Sequence, residues 1–241
     1  MLITSVNNDK IKELVKYKNK SMRDETNKFL VEGIHLVNEA IKEGLVIEVY
    51  LLENSNLKYE YPTTYISSNV MKKLSMLDSI SPVIALCNKK NSKIVGNRVL
   101  ALDNIQDPGN LGTMIRSACA FDFDTILLSS DSVDLYNPKV IRATKGMVFH
   151  TNVIVGNLSN EIKKLKDNNY DILTTNVNEG IDIRNYQPKD KLVLIIGNEG
   201  HGVSDELASL ANYKIYIKMN SKCESLNAAV ASSILMYEVN K

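Results

Sequence analysis

Three short stretches combine amide side chains, glycines or other small residues and a few charges in a way that could hold a small ligand and act on it. DNIQDPGNLGTMIR, residues 103–116, carries Asn110, Gly112 and Arg116. LIIGNEGHGVSDEL, residues 194–207, carries Gly197, Glu199, Gly200, His201 and Gly202. IKMNSKCESLNAAVASSIL, residues 217–235, carries Ser225 and Asn227. A guanidinium binds phosphate or steadies a developing oxyanion. Clustered glycines let backbone approach a ligand closely or take positive φ. Glutamate, serine and asparagine orient such groups through hydrogen bonds. Each position also has an ordinary structural use. Asn110 falls where a helix N-cap belongs, Ser204 and one of Ser225 and Asn227 suit caps too, and Arg116 could belong to a surface ion pair. Against the last, its helical neighbours Gly112, Thr113, Cys119 and Ala120 include no acid, which favours an external anion. His201, between glycines, reads as an exposed bystander. Cys223 has no base nearby in sequence, so a thiol nucleophile is set aside.

These stretches need strands and helices to position them. Short apolar runs alternate with amphipathic ones from residue 98 onward. RVLALD, TILLSS, TNVIVG, YDILTTNV, KLVLIIGNE and YKIYIKM are expected strands. LGTMIRSACAFD, NPKVIRATKGMVFH, LSNEIKKLKDNN, VSDELASLA and SLNAAVASSILMYEV are expected helices. Such alternation is the mark of a parallel sheet covered on both faces. Ligands of these sheets bind beyond the carboxyl ends of the strands, where the three stretches fall, together with the turn at Thr175 and Asn176. Before residue 90 the order is helix (NDKIKELVKYKN), helix within FLVEGIHLVNEAIKEG, strand (VIEVYLLE), strand (TTYISS), helix (SSNVMKKLSML) and strand (SPVIALCNK). Polar residues 88–97, NKKNSKIVGN, are the expected linker. The domains are therefore expected at 1–94 and 95–241.

The 241 residues are 44% hydrophobic and 24% charged, ordinary for a globular protein with a substantial core. Net charge is only +1 and selects no partner. Its distribution says more: residues 10–28 hold seven basic and three acidic side chains, either a solvated helix face or a phosphate-contacting patch. Cys87, Cys119 and Cys223 form neither a C-x-x-C pair nor a metal spacing, so reduced thiols in a cytoplasmic protein are expected and a metal site is not. The first residues lack a signal-peptide core, and no stretch approaches a membrane span. Neither G-x-G-x-x-G nor G-x-x-x-x-G-K-[ST] is present, which sets aside ordinary dinucleotide and triphosphate sites.

Taken in order, the three stretches resemble the motifs of the SpoU/TrmH family of RNA 2′-O-ribose methyltransferases, within the SPOUT superfamily. Asn104, Asn110, Gly112 and Arg116 fit the first motif; Gly197, Glu199, Gly200 and Gly202 the second; Ile217, Met219, Ser225, Leu226, Asn227 and Ala231 the third. Lys218 departs from it, standing where the family usually has proline. Residues 28–87 resemble the family's small L30e-like α/β domain, which binds RNA. The resemblance implies an α/β fold whose C-terminal parallel-sheet domain holds a trefoil knot, and a homodimer. It implies S-adenosylmethionine held at Gly197, Ile217, Met219 and Leu226, with Thr175 and Asn176 nearby. It implies a catalytic set of Arg116, Asn110, Glu199, Ser225 and Asn227. The cofactor carries its own electrophile, so what remains is to align a ribose hydroxyl and remove its proton. Arginine, with a pKa above about 12, suits phosphate binding and alkoxide stabilisation better than proton abstraction. Ribosomal RNA, 23S in particular, is expected before transfer RNA. The rival expectations are a SPOUT base methyltransferase and a catalytically silent RNA-binding assembly factor.

Overall fold

The computed structural model describes residues 2–76, 80–91, 95–177 and 179–240. Linker residues 92–94 and Leu77, the last residue of the expected SSNVMKKLSML helix, lie outside them. Two compact units form. The first comprises Met1–Asn91 with Asp134–Phe149, the second Ser92–Val133 with His150–Lys241.

The first unit contains β1 (Leu2–Ile3), β2 (Lys28–Glu32), β3 (Val46–Leu52), β4 (Thr63–Ile66) and β5 (Val83–Asn88) in one sheet, ordered β1-β4-β3-β5-β2. β2 and β3 run antiparallel to β5, while β4 is parallel to its neighbours β1 and β3. Helices Asp9–Lys16 and Ser68–Leu74 bury Ile11, Leu14, Val70, Met71 and Leu74 against Tyr50, Ile66 and Ile84 of the sheet. Three elements were not expected: the short strand β1, helix Lys20–Thr26, and strand β2, whose FLVE merges by eye into the amphipathic run that follows. Gly33, at φ 103°, separates β2 from helix Ile34–Lys42.

Residues 134–149, expected in the second domain, are built into this first unit. Phe29 stacks at tilted angles on Tyr136 and Phe149, with ring centroids 4.6 and 5.9 Å away. Arg23, 4% exposed, donates to the Tyr17 and Lys18 carbonyls and pairs with Asp134. The single helix expected over NPKVIRATKGMVFH is two, Pro138–Ala143 and Met147–His150. Lys145 and Gly146 break it with φ 52° and 88°, and a Cβ on Gly146 would lie 2.8 Å from that of Glu39. A glycine is needed where these backbones meet.

The second unit is the expected parallel sheet. Its strands are β6 (Arg98–Leu102), β7 (Thr125–Ser129), β8 (Asn152–Gly156), β9 (Asp171–Thr175), β10 (Ile181–Asp182), β11 (Leu192–Ile196) and β12 (Tyr213–Tyr216), ordered β10-β12-β9-β11-β6-β7-β8 and all parallel. Val99, Ala101, Leu127, Ile172, Val193 and Ile195 point to one face. There Leu158, Ile162 and Leu165 of helix Leu158–Asp167 and Leu207 of helix Asp205–Leu210 cover them. The alternate residues Leu100, Leu102, Leu194 and Ile196 are buried on the other face. That face belongs to helices Pro108–Ala120 and Ala228–Val239, which pack together. Two-sided burial explains why β11, LVLII, is apolar throughout. No helix among the described residues is long and apolar enough to cross a membrane.

Candidate functional site

The loops after β6, β11 and β12 meet at the carboxyl edge of this sheet. The helix after β6 begins with Pro108, and its N-cap is Asp107, whose side chain accepts the Asn110 N–H at 2.7 Å. Asn110 is therefore not the cap expected from the sequence. The D-P-G run already carried the better signal, since proline favours the first helical position and aspartate the one before it. Released from capping, the Asn110 side chain faces the other loops: its amide donates to Glu199 Oε1 at 2.9 Å, and its Oδ1 accepts from Asn227 Nδ2 at 3.0 Å. Asn227 does cap its helix, Oδ1 accepting from the N–H groups of Ala229 and Val230 at 2.9 and 3.2 Å.

Glu199, Asn110 and Asn227 thus form one chain of hydrogen bonds across three loops separated by many residues in sequence. Capacity is left over: among the described residues, a carboxylate oxygen on Glu199 and a second amide hydrogen on both asparagines meet no partner. Arg116 lies on the same helix as Asn110, on its third turn rather than the second. It is exposed and makes no hydrogen bond or ion pair with the described residues. Ser225, expected beside Asn227, is not in this chain of bonds; it lines the neighbouring pocket.

The loop after β11 folds back on itself. Asn198 and Gly202 exchange backbone hydrogen bonds at 2.9 Å, and the Ser204 N–H donates to Asp103 Oδ2 at 2.9 Å. A Cβ on Gly197 would sit 2.0 Å from the Gly202 carbonyl carbon. The close approach that the structure shows at Gly197 is to its own loop. Gly202, at φ 72°, turns the chain back.

Beside this loop lies a pocket of about 140 Å³. Thr175, Asn176, Ile217, Met219 and Leu226, five of the six residues expected at a cofactor, line it, and Gly197 does not. Ala231 of the third motif adds to the apolar walls, and Ile215 and Leu235, which the sequence alone did not single out, complete them. They are ordinary sheet and helix residues, with no local signal to mark them. Apolar walls with a few polar groups are what a heterocycle and a thioether-like chain require. Cys223 is exposed, and its Sγ donates to the Ser225 carbonyl at 3.3 Å. Among the described residues no group of three or more His, Cys, Asp or Glu could hold a metal ion.

Residues 97–237 match the family described as SpoU rRNA Methylase, and residues 8–85 match the MRM3-like substrate binding domain. The 23S rRNA (guanosine(2553)-2′-O)-methyltransferase RlmP of Bacillus subtilis is 33% identical over 243 residues, 98% of each chain. The AdoMet-bound rRNA methyltransferase from Sinorhizobium meliloti superposes with a TM-score of 0.88 at 26% identity, covering 99% of this chain and 97% of that one. A solved RNA 2′-O ribose methyltransferase gives 0.84 at 26% identity, covering 99% and 98%.

Proposed function

The chain belongs to the SpoU rRNA methylase family, and we propose on that premise that it methylates a ribose 2′-hydroxyl of 23S ribosomal RNA with S-adenosylmethionine. The observation that carries this is the Glu199–Asn110–Asn227 chain of hydrogen bonds, centred on the helix that also bears an exposed Arg116 with no hydrogen bond or ion pair among the described residues. The RlmP relative, similar over 98% of both chains, supports the same chemistry and makes a guanosine the first nucleotide to inspect.

The pocket beside the loops fits S-adenosylmethionine: Ile215, Ile217, Leu226 and Leu235 offer apolar walls, and Thr175, Asn176 and Ser225 polar edges. Bound there, the cofactor supplies an activated methyl group. The chain's own residues do the rest. Glu199, Asn110 and Asn227 retain donors and acceptors with which to orient the ribose. Arg116 holds the adjacent phosphate and steadies negative charge on the 2′-oxygen as the proton leaves. Alignment accounts for much of the rate in such a transfer.

Residues 1–94 serve as the RNA-reading domain and 95–241 as the transferase, supported by the match of 8–85 to a substrate binding domain. The chain acts as a homodimer. Helix Ala228–Val239 carries one charged residue, Glu238, and is otherwise largely apolar, yet Val230 and Tyr237 are 48% and 58% exposed. The terminal segment from 217 onward forms the trefoil knot; the insertion of β11 between β6 and β9 and the packing of helix Ala228–Val239 on Pro108–Ala120 support that threading. Ribosomal RNA as substrate places the protein in the cytoplasm. Mapping 2′-O-methyl positions in ribosomal RNA from cells with and without the gene tests the proposal. One site should vanish on deletion and return when purified protein and cofactor are added; an unchanged map would overturn it.

A further inference from the structure

We infer that Asn198 is a positioning residue that sets Glu199 and the cofactor-side backbone at once, an inference that rests on the activity proposed above. Every polar atom of its side chain is used. Its Nδ2 donates to the carbonyl of Asn104, in the loop after β6, at 2.8 Å. Its Oδ1 accepts from the N–H groups of Gly200 and His201 at 2.8 and 3.2 Å. Its backbone pairs in both directions with Gly202 at 2.9 Å.

These bonds run three ways from one residue. The donation to Asn104 ties the second loop to the first. Asn104 is itself held in a left-handed conformation, φ 54°, with its N–H on Ser129 Oγ at 2.8 Å, so the carbonyl is a fixed anchor. The acceptances fold the turn that carries Glu199, the next residue, whose carboxylate receives the Asn110 amide. The backbone pair fixes Gly202, which lines the pocket. Asn198 touches neither the proposed ribose site nor the pocket with its side chain; it acts through Glu199 on one side and Gly202 on the other.

The atoms divide a purely local role from a positioning one. If Asn198 served only its own turn, aspartate would replace it, since its oxygen accepts the Gly200 and His201 N–H groups equally well. Aspartate cannot donate to the Asn104 carbonyl, and sets a second oxygen against it. The positioning role therefore requires both Asn198→Asp and Asn198→Ala to fail, although Asn198→Asp keeps the turn.

The test is single-turnover methylation of a 23S ribosomal RNA fragment by the full chain, with both substrates saturating. Melting temperatures confirm that the variants fold. Both variants should be slowed at least about tenfold, with the RNA concentration for half-maximal rate changed less than about threefold. In a Glu199→Gln background, Asn198→Ala should slow the reaction by much less than in the wild type, because the two act as one unit. A folded Asn198→Asp protein at wild-type rate overturns the inference, as does full additivity with Glu199→Gln. Absence of methyl transfer by the wild-type chain would instead strike the activity on which the inference rests.

Discussion

Replacing Arg116 with alanine separates catalysis from stability more cleanly than any other change in this protein. The side chain is exposed on helix Pro108–Ala120 and pairs with no described residue. Its removal therefore breaks no hydrogen bond or ion pair among the described residues, and the effect on folding should stay within about 0.5 kcal/mol. Cofactor affinity should be unchanged, because Arg116 does not line the pocket. The full cost should fall on the transition state, where charge develops on the 2′-oxygen. Removing one preorganised electrostatic contact of that kind costs about 3 kcal/mol, roughly a hundredfold in rate. Arg116→Lys should recover little, since a point charge cannot reproduce the planar fork on a phosphate. The assay is single-turnover methylation with saturating RNA and S-adenosylmethionine. If Arg116→Ala retains more than about a third of the wild-type rate, a deficit under about 0.7 kcal/mol, the arginine has no part in the chemistry.

Asn227 has two duties that substitution can split. Asn227→Asp keeps a helix-capping oxygen but loses the donation to Asn110, so its melting temperature should hold while turnover falls about tenfold or more; Asn227→Ala should also lose about 1 kcal/mol of stability by chemical denaturation. Gly197→Ala drives a methyl into the Gly202 backbone, so calorimetry should show weakened S-adenosylmethionine binding together with a lower melting temperature, and normal values of both would show that the loop can yield. Arg23→Ala in the first unit leaves Asp134, whose side chain is 15% exposed, without its cation; denaturant unfolding should report a loss of about 3–5 kcal/mol with the cofactor site untouched. Tyr237→Glu on the exposed side of the terminal helix tests the proposed homodimer: the light-scattering mass should fall from that of two chains to that of one, and a variant mass equal to the wild type's would remove this helix from the interface.

The parallel sheet was legible because strands buried on both faces carry a continuous apolar signature, as LVLII and TILL do, and because helices of ordinary length separate them. The loops at the carboxyl ends followed from that topology, whereas the expectation that Asn110, Glu199 and Asn227 belong together came from the resemblance of the three motifs to the family. What local pattern could not supply was who bonds to whom. Asn110 reads as a cap until Asp107 is seen to take that duty. Ser225 reads as Asn227's partner until the helix start turns it toward the pocket. Gly197 reads as room for close approach, and the backbone that a Cβ there would meet is the chain's own return at Gly202. In each case a short-range preference was correctly identified, and a contact between distant residues decided how it was used.

Residues 134–149 show the same limit at the scale of a whole segment. Nothing in NPKVIRATKGMVFH says that its apolar face is owed to residues a hundred positions earlier, because amphipathic periodicity specifies that a face is buried and not what buries it. The structure answers with Phe29 against Tyr136 and Phe149, and Arg23 against Asp134. Cutting the chain at residue 94 would leave this segment without those partners, exposing aromatic rings and an acid that the intact chain buries or pairs. A fragment beginning at 95 is therefore a poor test of which half reads RNA. Point substitutions within the intact chain keep both cores complete, so a change in RNA affinity can then be assigned to the side chain removed.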